Sequence, residues 1–224
     1  KYTGTKRSDN SLLKGKLQCS NGNVYIGNFN KKNEFHGIGF YQYKTKSSRK
    51  LTNEQMEWRK KKLIQIWSEY RRSVDEKAAA QLDEFLSKEK LEDLFFSAEF
   101  VGYFGFFLNG ASHGFGREIT INDQAFEGNF EKGSRKGFGV NVYQTGICGI
   151  YVGKWRDDKR SDNNAWFYFG KNNIDEEGES MENCKYHGEF LHSKQHGTGV
   201  FYAADGSSEK QTYKHGKLIE SEPN

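Results

Sequence analysis

Several features that would classify this sequence at once are scarce or missing. Cysteine occurs three times in 224 residues, at positions 19, 148 and 184. The count is odd, the spacing is wide, and there is no CxxC or related ligand pattern. A disulfide framework is therefore not expected, and the three thiols are read as reduced, in an intracellular compartment. No apolar run approaches 18 residues, so no membrane-spanning helix is predicted. The N-terminal KYTGTKRSDN lacks a signal-peptide pattern. It also lacks an initiator Met, which leaves open a processed chain or part of a longer one. Proline is found only at 223, and the hydrophobic fraction is a low 34%. With so little Leu, Ile and Val, a thick three-dimensional core is not expected. The composition suits a thin structure sealed by aromatic rings.

Signatures of chemistry are also missing. There is no GxSxG, HExxH or Walker pattern, and no twelve-residue Ca²⁺ loop. His187, His192 and His196 come nearest to a metal cluster. His187 lies between Tyr186 and Gly188 and so points to the opposite face from them, while His196 falls at a position that recurs along the chain. The three are not expected to converge on a metal. The reading is a protein that is not an enzyme and has no cofactor.

Aromatics make up 15% of the chain, and there are 25 glycines. Their arrangement is the main signal. In YFGFFLNGASHGFG, residues 103–116, Tyr103, Gly105 and Phe107 alternate. An Asn109-Gly110 turn and His113-Gly114-x-Gly116 follow. The same layout returns in FEGNFEKGSRKGFG (126–139), in YHGEFLHSKQHGTG (186–199) and, with one extra residue, in YIGNFNKKNEFHGIG (25–39). YVGKWRDDKRSDNN (151–164) keeps only the first half. Tyr2-x-Gly4 with Gly15, and YKHGK at 213–217, supply outlying copies. Unit starts at 2, 25, 103, 126, 151, 186 and about 209 give a period near 23, stretched by insertions. A single phosphate-binding loop would not need glycines repeated with aromatics at fixed offsets.

Alternate residues of a strand share one face, so each Tyr-x-Gly-x-Phe run presents two rings with a gap between them. Asn-Gly and Lys-Gly pairs supply the positive φ of a tight hairpin. Glycines in the second strand leave room where the next unit's rings approach. Each unit is then one hairpin that cannot bury its face alone. Stacked units form an elongated single-sheet β solenoid with a ladder of rings. His36, His113 and His196 fall at one repeat position and are read as architectural.

The pattern Y-x-G-x-F-x-x-G-x-x-H-G-x-G resembles the MORN repeat (membrane occupation and recognition nexus) over residues 1–51 and 99–218. The 103 and 126 units match at nearly every motif position. The 186 unit has Ser193 in place of the turn glycine, and the 2 and 151 units are degenerate. The resemblance implies a scaffold that assembles larger complexes, often in cilia, flagella and the cortical cytoskeleton. Radial spoke heads of axonemes contain such arrays. Some MORN-like arrays accompany a SET methyltransferase or a phosphoinositide kinase domain, and nothing in this chain resembles either.

Residues 52–98 interrupt the array and read as helix. Thr52-x-x-Gln55 forms a capping box. Met56, Leu63, Trp67, Tyr70 and Val74, then Ala78, Leu82, Phe85, Leu86 and Phe95, form apolar stripes. Asp75 is a candidate cap of a second helix, and one long helix is the alternative. The segment either packs on the sheet or projects toward a partner with Trp58, Trp67 or Tyr70 as anchors. The acidic stretch with Glu176, Glu177 and Glu179 reads as a solvated loop. The organisation is therefore hairpins over 1–51, a helical insertion over 52–98, hairpins over 99–218 and a tail at 219–224.

Charge is uneven. Residues 1–51 hold 11 Lys or Arg against 2 Asp or Glu, and residues 99–224 hold 14 against 18. The basic end either faces solvent or meets an anionic surface through Lys31, Lys32, Lys44, Lys46, Arg49 and Lys50. Partner proteins are expected along an aromatic groove lined by Tyr25, Phe29, Tyr103, Phe107, Phe126, Phe130, Tyr151, Trp155, Tyr186 and Phe190. End-to-end self-association is a further expectation, since open sheet edges invite pairing. No nucleic-acid partner is expected. Anionic-lipid tethering and a regulatory module of a longer enzyme are the alternative functions.

Overall fold

The computed structural model describes residues 1–45, 52–70, 76–97, 100–143, 149–170, 173–175 and 178–224. Among the described residues the chain is mainly β, one open antiparallel sheet of fifteen strands in hairpin order, with three helices. By internal contacts it divides into two compact units.

The first unit comprises residues 1–121 and 127–133. It begins with the hairpins β1 (Tyr2–Lys6) with β2 (Leu12–Gln18) and β3 (Val24–Phe29) with β4 (Phe35–Gln42). Helices α1 (Asn53–Tyr70), α2 (Glu76–Lys88) and α3 (Glu92–Phe96) follow. Then come β5 (Gly102–Leu108), β6 (Ala111–Ile119) and the second half of β7 (Gln124–Glu131). The second unit holds the first half of β7, β8 (Ser134–Tyr143), β9 (Gly149–Arg156), the short β10 (Lys159–Arg160) and β11 (Asp162–Phe169). It ends with β12 (Lys185–Leu191), β13 (Lys194–Tyr202), β14 (Ser208–Lys214) and β15 (Lys217–Pro223). Every unit start read from the sequence opens a hairpin. Residues 219–223 of the expected 219–224 tail instead belong to β15 and run along β14, with Glu209 opposite Pro223.

Local chemistry accounts for the hairpins. Asn109 and Gly110 take φ of 49° and 87°, and Lys132 and Gly133 take 50° and 92°. Two successive positive φ values match the right-handed twist of the flanking strands. His192-Ser193 turns the same way without glycine, at 50° and 71°. Each turn is also tied back to the preceding hairpin. The N–H of Gly110 donates to the Phe35 carbonyl at 2.9 Å, Gly133 to Ser112 at 2.9 Å and Asp158 to Arg135 at 3.2 Å. Ser193 donates likewise to Arg160 at 2.9 Å, and Gly216 to Gln195 at 2.8 Å.

The two glycines of each His-Gly-x-Gly have different jobs. Gly37, at φ 65°, takes up the register shift opposite Gly27 and Asn28 and forms a bulge. Gly39 instead makes room for a ring. A Cβ there would lie 2.5 Å from atoms of the Tyr25 ring. This corrects the expectation that the gap receives a ring from the next unit, because the tyrosine of the same hairpin folds over its own glycine pair. Gly105 with Gly116 under Tyr103, and Gly188 with Gly199 under Tyr186, repeat the arrangement. The hydroxyls of Tyr25, Tyr103 and Tyr151 donate to the carbonyls of Asn28, Phe106 and Lys154 at 2.7, 2.9 and 2.9 Å. Overpacking such a site costs about 1–3 kcal/mol. Gly39→Ala should therefore lower stability by that order, read as a shifted urea midpoint. An unchanged midpoint would mean that the Tyr25 ring moves aside freely.

The helical insertion packs on the sheet, on the face opposite the tyrosines. Leu63, Trp67, Leu82, Leu86 and Phe95 are buried. Phe85 and Phe95 each stand 5.8 Å from Phe104, and Phe95 stands 6.5 Å from Phe40. Phe40 pairs with Phe104 one residue away from the Gly39–Gly105 pair, hence on the other side of the pleat. Lys14 bridges to Glu89 at 2.7 Å. The Met56 N–H bonds to the Thr52 carbonyl, placing the helix start as predicted. The Gln55 side chain, Val74 and Asp75 lie outside the described residues.

Candidate partner-binding site

The ten rings expected to line a groove are all buried, each 7% exposed or less. They close against one another edge to face. Within one unit, Tyr25 meets Phe29 at 5.1 Å and Tyr103 meets Phe107 at 5.0 Å. Between neighbouring hairpins, Tyr25 meets Phe107 at 5.3 Å, Tyr103 meets Phe130 at 4.8 Å and Tyr151 meets Phe190 at 5.3 Å. Such T-shaped pairs suit the ring quadrupoles. The rings form the wall of the tyrosine face, and most of their surface is spent on one another. Burial pushes the hydroxyls of Tyr25, Tyr103, Tyr151 and Tyr186 far above the usual phenol range.

Whether that face is open depends on a residue the sequence reading did not single out. It sits opposite the second ring of each hairpin, as the register pairs show: Phe29–Phe35, Phe107–Ser112, Trp155–Arg160 and Phe190–Gln195. The carbonyl of this residue accepts the turn N–H of the next hairpin, which adds Arg135 to the set. Where the side chain is large and flat, it covers the tyrosine-position ring. Phe35 stacks on Tyr25 at 3.9 Å and 12°. The Arg135 guanidinium lies 4.9 Å from Phe126 and 5.2 Å from Trp155. Arg160 lies between 5.2 and 5.7 Å from Tyr143, Tyr151, Phe167 and Phe190.

Where the side chain is small or unable to stack, a groove opens. Ser112 leaves a cleft of about 280 Å³ in the first unit, walled by Phe35, Tyr41, Tyr43, Tyr103 and Phe107. Gln195 borders a larger one of about 520 Å³ in the second unit, walled by Arg160, Phe167, Phe169, Met181 and Phe190. The signal was present in the sequence. Two residues before the first glycine of each His-Gly-x-Gly or its equivalent stand Phe35, Ser112, Arg135 and Gln195. Its meaning needed the strand register.

The remaining candidates are scattered. Trp58 on α1 is 67% exposed and offers its ring to solvent, whereas Trp67 is 1% exposed. Trp67 lies beneath the Arg117 guanidinium at 5.3 Å, so it serves helix packing and not a partner. Tyr70, at the end of α1, is half-buried. Lys31 and Lys32 are exposed in the turn between β3 and β4, and Lys44 is exposed beyond the far end of β4. Eight strand residues separate the two places, roughly 25 Å at the usual strand rise. These lysines do not form one patch. Lys46, Arg49, Lys50, Glu176, Glu177 and Cys148 lie outside the described residues.

His187 stacks on Trp166 at 4.1 Å, on the face opposite Tyr186. Among the described residues no group of three His, Cys, Asp or Glu side chains is placed to hold a metal ion. Also among them, no helix is long and apolar enough to cross a membrane.

The family model of the MORN repeat matches residues 25–48, 103–122, 126–147 and 186–208. No curated protein matches the chain. The hairpins β1–β2, β9–β11 and, but for Ser208, β14–β15 fall outside the matched spans and follow the same strand order. MORN repeats are consistent with a protein- or membrane-binding scaffold.

Proposed function

We propose, from the premise that this chain is a MORN-repeat protein, that it is a non-enzymatic scaffold subunit holding segments of partner proteins in the open slots of its tyrosine face. One observation carries this reading: the slot beside Tyr103 is open because Ser112 stands where Phe35 covers Tyr25. An array built only for its own stability gains from filling every slot. An apolar cleft with a rigid aromatic wall is where a partner anchors a side chain at low entropic cost. The exposed Trp58 offers a second contact on the helical insertion.

The finer reading is an intracellular assembly of the cilium or cytoskeleton, of the radial-spoke kind, and it rests on the family resemblance. Anionic-lipid tethering has less support, because Lys31 and Lys32 stand at the opposite end of their hairpin from Lys44.

Ser112→Phe tests the slot. It should fill the cleft as Phe35 does and keep the strand content and melting temperature. It should also abolish stoichiometric recovery of partner subunits with the tagged protein from its native cell at physiological salt. Full recovery with a folded Ser112→Phe/Gln195→Phe double variant would overturn the reading. Flotation of the wild type on anionic vesicles, with no partner recovered, would favour tethering instead.

A further inference from the structure

Building on the slot reading, we propose that the cleft of the second unit takes an acidic segment of a protein partner, an Asp or Glu side chain flanked by an apolar one. The cleft measures about 520 Å³ against about 280 Å³ for the slot beside Tyr103. That places it within the range of sites that enclose a ligand group.

Its walls are of two kinds. One is apolar, with Phe167, Phe169, Ile174 and Met181. Ile174 is 66% exposed, unusual for an isoleucine beside a ring cluster. The other wall is cationic or protonatable, with Arg160, Lys194 and His215, and no Asp or Glu is among the described lining residues. This stands out in a part of the chain where acidic residues outnumber basic ones, 18 against 14 over residues 99–224.

Arg160 is held for such a role. Four rings surround its guanidinium at 5.2–5.7 Å, and its Nη2 donates to the Ser193 carbonyl. Among the described residues no carboxylate lies within ion-pair distance of it. A guanidinium carries five N–H donors in a rigid fork suited to a carboxylate. The side chain is immobilised beforehand, which lowers the entropy lost on binding. Lys194 and His215 are exposed at the rim, where they add attraction and partner choice more than tight affinity. Inorganic phosphate would leave the apolar wall unused, and an apolar peptide would leave the cations unmet.

The test is a random peptide library displayed on phage and selected against the full chain, followed by fluorescence anisotropy of enriched peptides. Enriched sequences should pair Asp or Glu with Leu, Ile or Phe. The variant Lys194→Glu/His215→Asp changes only exposed residues and keeps a turn-compatible side chain at 215. It should weaken these peptides about tenfold, and Gln195→Phe should abolish binding, with strand content checked by circular dichroism. Peptides without acidic bias, or indifferent to the charge reversal yet lost in Gln195→Phe, overturn the acidic assignment and leave the slot reading standing. Peptides indifferent to both Gln195→Phe and Ser112→Phe overturn the slot reading itself.

Discussion

Replacing Arg117 by methionine should lower the unfolding free energy by about 3–5 kcal/mol, the usual consequence of taking one partner from a buried ion pair. Arg117 lies on β6, on the face that receives the helices, with its side chain 5% exposed. Its Nε donates to Glu127 on β7 at 2.8 Å, and its Nη1 donates to Asp83 on α2 at 2.5 Å. The guanidinium also covers Trp67 of α1. One side chain thus joins two strands and two helices. Burial alone would push the guanidinium down, but the Glu127 and Asp83 carboxylates outweigh it and hold Arg117 above its ordinary value. Methionine keeps much of the volume and removes the cation from a carboxylate whose side chain is 2% exposed. Arg117→Met/Glu127→Leu removes both charges and should regain most of the loss. Urea unfolding followed by circular dichroism measures both variants. If the double variant is as unstable as the single one, the loss comes from packing and not from the broken ion pair.

The sequence disclosed what is local and periodic. Seven unit starts became seven hairpins because an alternating run and a turn with a residue at positive φ need no distant partner to be recognised. The helical insertion was legible from the stripe of Leu63, Trp67, Leu82 and Phe95. Its division into three helices was not, because no Gly or Pro marks the breaks. The face it covers was not legible either. Both sides of β4 and β5 carry rings, with Tyr41 and Tyr103 on one and Phe40 and Phe104 on the other. Only packing decides between them.

The candidate site was half legible. The ten rings named from the sequence share the tyrosine face, but they are buried and do not line one continuous open groove. A Tyr-x-Gly-x-Phe run shows that two rings share a face and does not show how closely the next hairpin's rings approach. Nothing in the sequence singles out Arg117 or Arg160, since a charge on a strand is usually solvated. The burial of Arg117 between carboxylates and the place of Arg160 among rings are tertiary and leave no mark on spacing. Ser112 and Gln195 matter because they are smaller or less able to stack than Phe35, Arg135 and Arg160. That contrast acquires meaning only once the register places all five opposite a ring or at its equivalent.

The repeat tyrosines tie the motif to a measurable property of the whole array: it should unfold in mild alkali. Tyr25, Tyr103, Tyr151 and Tyr186 are buried to 4% exposure or less, and burial raises each hydroxyl pKa in the folded state. The unfolded chain releases these protons near pH 10, while the folded chain keeps them. Above that pH the folded state binds more protons, so stability falls as pH rises. The contribution is fully present below about pH 10 and is lost progressively above it. Each tyrosine takes away about 1.4 kcal/mol per pH unit, so the four together reach about 5.5 kcal/mol per unit, which is large against an ordinary domain's stability. Tyrosinate absorbance and circular dichroism should therefore change together between about pH 10 and 12. Tyr103→Phe should remove about a quarter of the slope. It should also cost about 1 kcal/mol at neutral pH for the bond to the Phe106 carbonyl. Phe126 already occupies the tyrosine position of its own hairpin, so phenylalanine fits the site. If tyrosinate forms while the β spectrum stays intact, the rings ionise in place, and the sealed ladder is not what holds the hairpins together.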